Sequence, residues 1–284
     1  MQFTILVIII TNVLLTLSQD CNDVDSDGAV SIASNVDLIS NNAFKNCGDL
    51  ESISVGGNSL AKLGQSSFYN TGLTSIEIPK SVTEISNNAF HNSDSLTEIT
   101  FESISSLKKL GNHVFRNVPI VSITLPGSLT AMGSNVFFGC SSLTSVQFGS
   151  GISIQNLNFG TFRNTILTSI TIPASVTSIS SFVFFGLPTS FKWDSISFET
   201  GSPFFRDTND VDCSDISNGV LTIPDSVTTI KPFSFFKCWV TSISYSAAVA
   251  VKRIETGAFM FHGLKDVHIP KSVTDIGHDV FWTY

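Results

Sequence analysis

Residues 73–90 read LTSIEIPKSVTEISNNAF, residues 120–137 read IVSITLPGSLTAMGSNVF, and residues 167–184 read LTSITIPASVTSISSFVF. Their prolines, Pro79, Pro126 and Pro173, lie 47 residues apart, and shortened copies return as VLTIPDSVTTIKPFSF ending at Phe235 and VHIPKSVTDIGHDVF ending at Phe281. Proline-free phrases fall midway, LTEITF ending at Phe101 and LTSVQF ending at Phe148, which brings the true period down to 23 or 24 residues. The phenylalanine closing each unit supplies eleven anchors: Phe44, Phe68, Phe90, Phe115, Phe137, Phe162, Phe184, Phe205, Phe235, Phe259 and Phe281. The steps between them are 24, 22, 25, 22, 25, 22, 21, 30, 24 and 22 residues, so the length of the chain is mostly a repeat count.

Each unit has one physical design, complete in Leu73, Ile76, Ile78, Val82, Ile85 and Phe90. The x-Ile-x-Ile portion alternates with period two and is rich in β-formers, which predicts a strand of four to six residues with alternate side chains inward. Proline after the strand has no N–H for a ladder and ends it. The segments SNNAF, GSNVF and ETGAF are too short for a helix of their own and predict a tight turn or a single helical turn that brings the phenylalanine under the core. One unit cannot bury its apolar face, whereas eleven stacked units can. The fold expected is a β-rich solenoid of about eleven coils of 22–25 residues with a parallel sheet along one face.

The composition agrees. Of 284 residues, 42% are hydrophobic and 13% charged, with 24 Phe beside 3 Tyr and 3 Trp and a formal net charge of -8. That balance excludes a disordered acidic tail and a basic nucleic-acid-binding surface, and places the rings in dry columns. Residues 1–18 carry the apolar run FTILVIIITNVLLTL and read as a secretory signal peptide, which puts the mature start at Gln19. Residues 19–35 read as a polar N-terminal cap, and residues 36–284 as the solenoid with an acidic insert at about 206–218. No later stretch is long and apolar enough to span a membrane. The expectation is therefore an extracellular protein, secreted or peripherally attached to the cell surface. Of five cysteines, Cys21 with Cys47 and Cys213 with Cys238 are close enough in sequence to be paired, leaving Cys140 over. Against this stands a reading in which Cys47, Cys140 and Cys238 are simply small buried apolar residues.

The phrase LTSITIPxSVTxIxxxAF resembles the leucine-rich repeat superfamily, and within it the BspA-like, or Treponema-type, class. Leu73, Ile76 and Ile78, like Leu167, Ile170 and Ile172, match the general LxxLxL pattern, and Pro79 and Pro173 stand near the usual asparagine position. The Gly139-Cys140 pair after Phe138 and the cysteines after Phe44 and Phe235 extend the likeness. What this resemblance implies is a secreted or cell-surface protein engaged in adhesion, host-matrix binding or aggregation.

Residues flanking the central inward isoleucine of each strand should face solvent, and they are candidates for a binding face: Ser75, Glu77, Glu98, Thr100, Ser122, Thr124, Ser145, Gln147, Ser169, Thr171, Ser190 and Lys192. Such a face is either a generic solvated sheet surface or a footprint of distributed contacts to an extracellular protein, matrix or glycan. In the insert, Asp207, Asp210, Asp212 and Asp215 are weak candidates for calcium and otherwise form a polar boundary loop. Asp23, Asp25, Asp27 and Gly28 begin like a calcium loop, but Ser34 stands where its closing Glu should be. The five histidines are dispersed, with His113 matching the turn position of Asn88, and no catalytic motif is present; neither an enzyme nor a cofactor is expected. The array stops at Phe281-Trp282-Thr283-Tyr284 without a polar cap, so a structural or self-assembling surface-layer component, in homotypic association through that open edge, is the alternative to a binding scaffold.

Overall fold

A computed structural model describes residues 20–180, 182–188, 196–198, 215–232, 234–235, 238–260 and 262–282. Ten of the eleven anchors lie among them, all except Phe205. Two kinds of strand alternate along the chain. The longer ones are β1 (Ala29–Ile32), β3 (Ser52–Val55), β5 (Ser75–Ile78), β7 (Glu98–Phe101), β9 (Ser122–Leu125), β11 (Ser145–Phe148), β13 (Ile170–Ile172), β15 (Ile196–Phe198), β17 (Val220–Ile223) and β19 (Ser242–Tyr245). Two-residue strands fall between them at β2 (Leu38–Ile39), β4 (Lys62–Leu63), β6 (Glu84–Ile85), β8 (Lys109–Leu110), β10 (Ala131–Met132), β12 (Asn156–Leu157), β14 (Ser178–Ile179), β16 (Ile216–Ser217), β18 (Thr229–Ile230), β20 (Arg253–Ile254) and β21 (Asp275–Ile276). Long strands pair in parallel from coil to coil on a front face, as Ser75 with Glu98 and Ser122 with Ser145. The short strands other than β16 pair in parallel on a second face, with β2, β4, β6, β8 and β10 forming one five-stranded sheet.

The anchors form the third element. Phe44, Phe68, Phe90, Phe115, Phe137, Phe162 and Phe184 stack in one column with adjacent ring centroids 5.3–5.8 Å apart. Phe235, Phe259 and Phe281 make a second column at 5.0 and 5.5 Å. Most of these rings are fully shielded from water, and burying each side chain contributes about 1.5–3 kcal/mol. Around the described anchors the chain makes turns, not a helix, which settles that alternative. The residues two before and two after the anchor adopt left-handed backbone, as at Asn88 (φ 58°) and Asn92 (φ 60°) around Phe90. Asparagine and glycine dominate these positions because their steric cost there is lowest. This geometry turns the anchor's N–H toward the next coil: Phe68 donates to Ala89 O (2.8 Å), Phe90 to Val114 O (3.0 Å) and Phe115 to Val136 O (3.0 Å). Asparagine side chains add a ladder, Asn70 Nδ2 to Asn46 Oδ1 (3.1 Å) and Asn117 Nδ2 to Asn92 Oδ1 (2.9 Å).

The ends of the array depart from the sequence reading in detail. The front sheet reaches into the segment 19–35, because Val30 and Ile32 of β1 point inward and pair with Ile53 and Val55. Cys21 and Cys47 are joined in a disulfide, and Cys140 is free and buried, with burial pushing its thiol pKa up to about 12. Cys238 is disulfide-bonded, while Cys213 lies outside the described residues. The end of the acidic insert is a hairpin: β16 and β17 pair antiparallel across Asn218-Gly219, both at positive φ, the turn chemistry such a two-residue connection requires. At the C-terminus Val280 is buried, and Trp282 packs edge-on against Phe182 (5.7 Å) and Phe185 (5.6 Å), so the last coil is partly covered by the protein itself.

Removing one ring from the middle of the column leaves a cavity that its neighbours, held by the anchor ladder, cannot collapse into. Phe115→Ala is therefore expected to cost about 3–5 kcal/mol, read as a lowered midpoint in denaturant unfolding. A loss below about 1 kcal/mol would show that the column does not carry the fold.

Candidate binding face

The alternation on the front strands is as the repeat requires. In β5 and β9 the burial runs exposed, buried, exposed, buried, which places Ser75, Glu77, Ser122 and Thr124 outward over Ile76, Ile78, Ile123 and Leu125. Glu98, Thr100, Gln147, Ser169 and Thr171 are likewise exposed and Ser145 is half-buried. Ser190 and Lys192 lie outside the described residues. Neighbouring hydroxyls bond to one another, as Thr171 with Ser197 (2.8 Å) and Ser31 with Ser54 (3.0 Å). Glu77 faces Thr100 and Glu98 faces Ser75, so the two carboxylates are not paired across strands.

From β1 to β15 the front face is parallel but hydrogen-bonded in ribbons of two, β1–β3, β5–β7, β9–β11 and β13–β15. Proline sets this pattern. Within the ribbons, the residue after the second strand donates back to the first: Gly56 to Ile32 O (2.8 Å), Glu102 to Ile78 O (3.0 Å) and Gly149 to Leu125 O (2.8 Å). In the intervening coils the same position is Pro79, Pro126 or Pro173, and the bond cannot form. A seam opens at each one. At the β3/β5 and β11/β13 seams the other end of the strand still holds, through Thr74 to Glu51 O and Thr168 to Thr144 O, both at 3.2 Å. At the β7/β9 seam the counterpart from Val121 is not made; Pro126 directly follows the strand and Pro119 lies three residues before it.

A groove of about 820 Å³ lies over this doubly interrupted seam, lined by Glu98, Thr100, Ser122 and Thr124 from the strands. A second groove of about 390 Å³ lies over the β11/β13 seam, lined by Ser145, Gln147, Ser169 and Thr171. The larger groove also has apolar walls that the sequence reading did not single out. Ile104 is 94% exposed and Val121 54% exposed, beside strands β7 and β9 whose outward residues are Glu98, Thr100, Ser122 and Thr124. Ile104 sits at φ 60°, a strained backbone for a β-branched residue, at the tip of a turn two residues longer than its counterpart in the preceding coil. Gly127 forms the floor's edge, where any side chain would run into the carbonyl of Ser150. The available signals in the sequence were the paired prolines and the lengthened turn after Phe101.

The other candidates do not converge. Asp25 accepts from the N–H groups of Asp27 and Ala29 (both 2.9 Å), closing a turn with its own backbone. Asp207, Asp210 and Asp212 lie outside the described residues and Asp215 sits beside β16. Among the described residues no group of three or more His, Cys, Asp or Glu could hold a metal ion. Glu84 bridges Lys62 (3.2 Å) and Lys109 (3.3 Å) on the second sheet; burial opposes its charge, but the two lysines outweigh it and hold its pKa below the usual carboxylate range. His113 occupies the left-handed position of Asn88, half-buried instead of exposed. Its ring lies 6.3 Å from that of His91, whose pKa is lowered to about 4 by burial first and by Arg116 and His113 second.

The sequence matches the family described as the BspA type leucine rich repeat region, in six copies over residues 16–107, 61–190 and 212–284. The chain belongs to this family. Among solved structures, the BspA-type repeats here are similar to a leucine-rich repeat protein of T. pallidum, 31% identical over 57% of this chain and 79% of that one, with a TM-score of 0.49. They are also similar to the pneumococcal vaccine antigen PcpA, at 19% identity over 88% and 74% of the chains and a TM-score of 0.48. A leucine-rich cell surface protein of Faecalibacterium prausnitzii is 24% identical over 91% and 79%, with a TM-score of 0.44. No curated protein matches the sequence.

Two measurements check this site. If proline causes the seam, Pro126→Thr supplies an N–H within the register of Phe101 O, and hydrogen exchange should find the new amide protected; exchange at the rate of an open loop would refute the cause. The lowered His91 pKa means that the unfolded chain takes up its proton first as pH falls. Stability should be constant above about 6.5, the unfolded value, and decline toward pH 4, with His91→Gln reducing the slope of the unfolding midpoint against pH in that window.

Proposed function

We infer that this BspA-type repeat protein is a non-enzymatic extracellular binding scaffold whose front face engages a protein partner at the β7/β9 groove. The observation carrying this reading is the pairing of an opened sheet seam with two exposed apolar side chains, Ile104 and Val121. Exposed apolar residues rimmed by polar ones are where binding energy concentrates, because contact there removes apolar surface from water while the surrounding Ser and Thr satisfy hydrogen bonds at low entropic cost. Strain held at Ile104 is a cost without a folding benefit, which supports a role in recognition.

The location rests on the signal-peptide pattern in residues 1–18 and the Cys21–Cys47 disulfide. No helix among the described residues is long and apolar enough to cross a membrane. Association between copies through the C-terminal edge is the second reading. It is supported by β21, the outer strand of its sheet, whose Ile276 is 51% exposed.

Photo-crosslinking from Thr124 in the protein's own extracellular milieu, followed by partner identification, tests the first reading. The crosslinked product should disappear with Ile104→Asp and Val121→Asp combined and persist with Lys109→Gln on the second sheet. Persistence in both would place binding elsewhere, and a product consisting of a second copy of the chain, lost with Ile276→Asp, would favour association.

A further inference from the structure

Over the first six coils the residue that follows the anchor lies on the turn side and reaches solvent, exposed at Lys45 and half-buried at Tyr69, His91, Arg116, Phe138 and Arg163. Every one is a cation, an imidazole or an aromatic ring, and Phe185 continues the row in the seventh coil. In a chain of net charge -8 this concentration of positive groups without acids is a local exception. Neighbouring side chains touch at every step except that from His91 to Arg116. Lys45 Nζ lies 5.4 Å from the ring centroid of Tyr69, Tyr69 meets His91 edge-on at 5.0 Å, and Phe138 receives the Arg116 guanidinium at 4.6 Å and that of Arg163 at 5.3 Å. Arg163 also lies over Phe185 at 4.8 Å.

No carboxylate among the described residues pairs with Lys45, Arg116 or Arg163; all four ion pairs there involve Lys62, Lys109 or Arg253. The Nε atoms of Arg116 and Arg163 are sealed from solvent with no hydrogen-bond partner. A guanidinium partly removed from water and left without a counter-charge is costly, and cation–π contact offsets only part of that cost. The groups are also regularly spaced. Arg116 and Arg163 come from coils on either side of Phe138, two strand spacings or about 10 Å apart along the stacking axis, and Lys45 lies three coils before Arg116.

We propose that this row is a second binding site, distinct from the front groove, that takes a linear sulfated polysaccharide lying along the stacking axis. Its sulfates accept bidentate hydrogen bonds from the guanidinium groups of Arg116 and Arg163, and its sugar rings lie across the aromatic rungs of the row. The net negative charge of the molecule does not prevent this at physiological ionic strength, where charges beyond roughly 8 Å are largely screened.

The test is calorimetric titration of the full chain with dextran sulfate, with unsulfated dextran and inorganic sulfate as comparison probes. Dextran sulfate should bind, more weakly as salt rises, and unsulfated dextran should not. Arg116→Gln with Arg163→Gln should weaken binding roughly tenfold or more, while Lys62→Gln with Lys109→Gln should leave it unchanged. Circular dichroism checks that the arginine variant folds, and if it does not, the exposed Lys45→Gln carries the test with an expected loss of a few-fold. The imidazole resonances of His91 and His113 should shift on addition of dextran sulfate to the unsubstituted protein. Absence of binding, or equal binding by the folded arginine variant, overturns the proposal. Saturation by inorganic sulfate at the same arginines with equal affinity overturns the polysaccharide and leaves a small-anion site.

Discussion

The constraint on which the structure depends is that each coil must set one phenylalanine ring directly on the ring of the coil before it. Stacking at 5.0–5.8 Å matches the spacing of paired strands closely enough for both to be satisfied by one axial rise. The left-handed residues two before and two after the anchor follow from this. They fold the backbone sharply around the ring and point its N–H at the next coil, so that the tightest turn in the unit is also its most continuous ladder. A chain with 13% charged residues stays ordered because the apolar columns close on themselves and the polar surface is built from Ser, Thr and Asn.

That continuity lets the front face be discontinuous. With the anchor turns and the small second sheet holding successive coils together, loss of a front-sheet bond at Pro79, Pro126 or Pro173 opens a seam without separating the coils. Proline in every second coil makes the structural repeat of the face 47 residues, twice that of the core. Both grooves described on the front face lie over such seams, and the larger is where the strand is interrupted at both ends. A residue type that ends strands for folding reasons has thereby also placed the concave surface.

The turn side follows a different logic. Over the first seven coils the positions after the anchor lie outside the buried core, and they carry cations and rings in a row. Read as one sequence position, Arg116 or Arg163 is an ordinary surface residue. The solenoid brings them to opposite sides of Phe138, where their missing counter-charges become apparent.

Much of the fold was legible in the sequence because it rests on local periodicity. Alternating Ile in LTSIEIP specifies which side chains go inward, the interval to Phe90 specifies the coil, and repetition specifies the stacking. The outward direction of Ser75, Glu77, Ser122 and Thr124 followed from the same alternation. What only the tertiary structure decided is which outward residues come together and how. Ile104 and Val121 are 17 residues apart and share no motif, yet line one groove over a seam where two coils fail to make their bonds. Trp282 reaches Phe182 and Phe185 a hundred residues earlier by the path of the chain as a whole. Periodicity is a property of one coil and can be read along the chain; grooves, ladders and unpaired charges are properties of neighbouring coils and arise only when the chain is stacked.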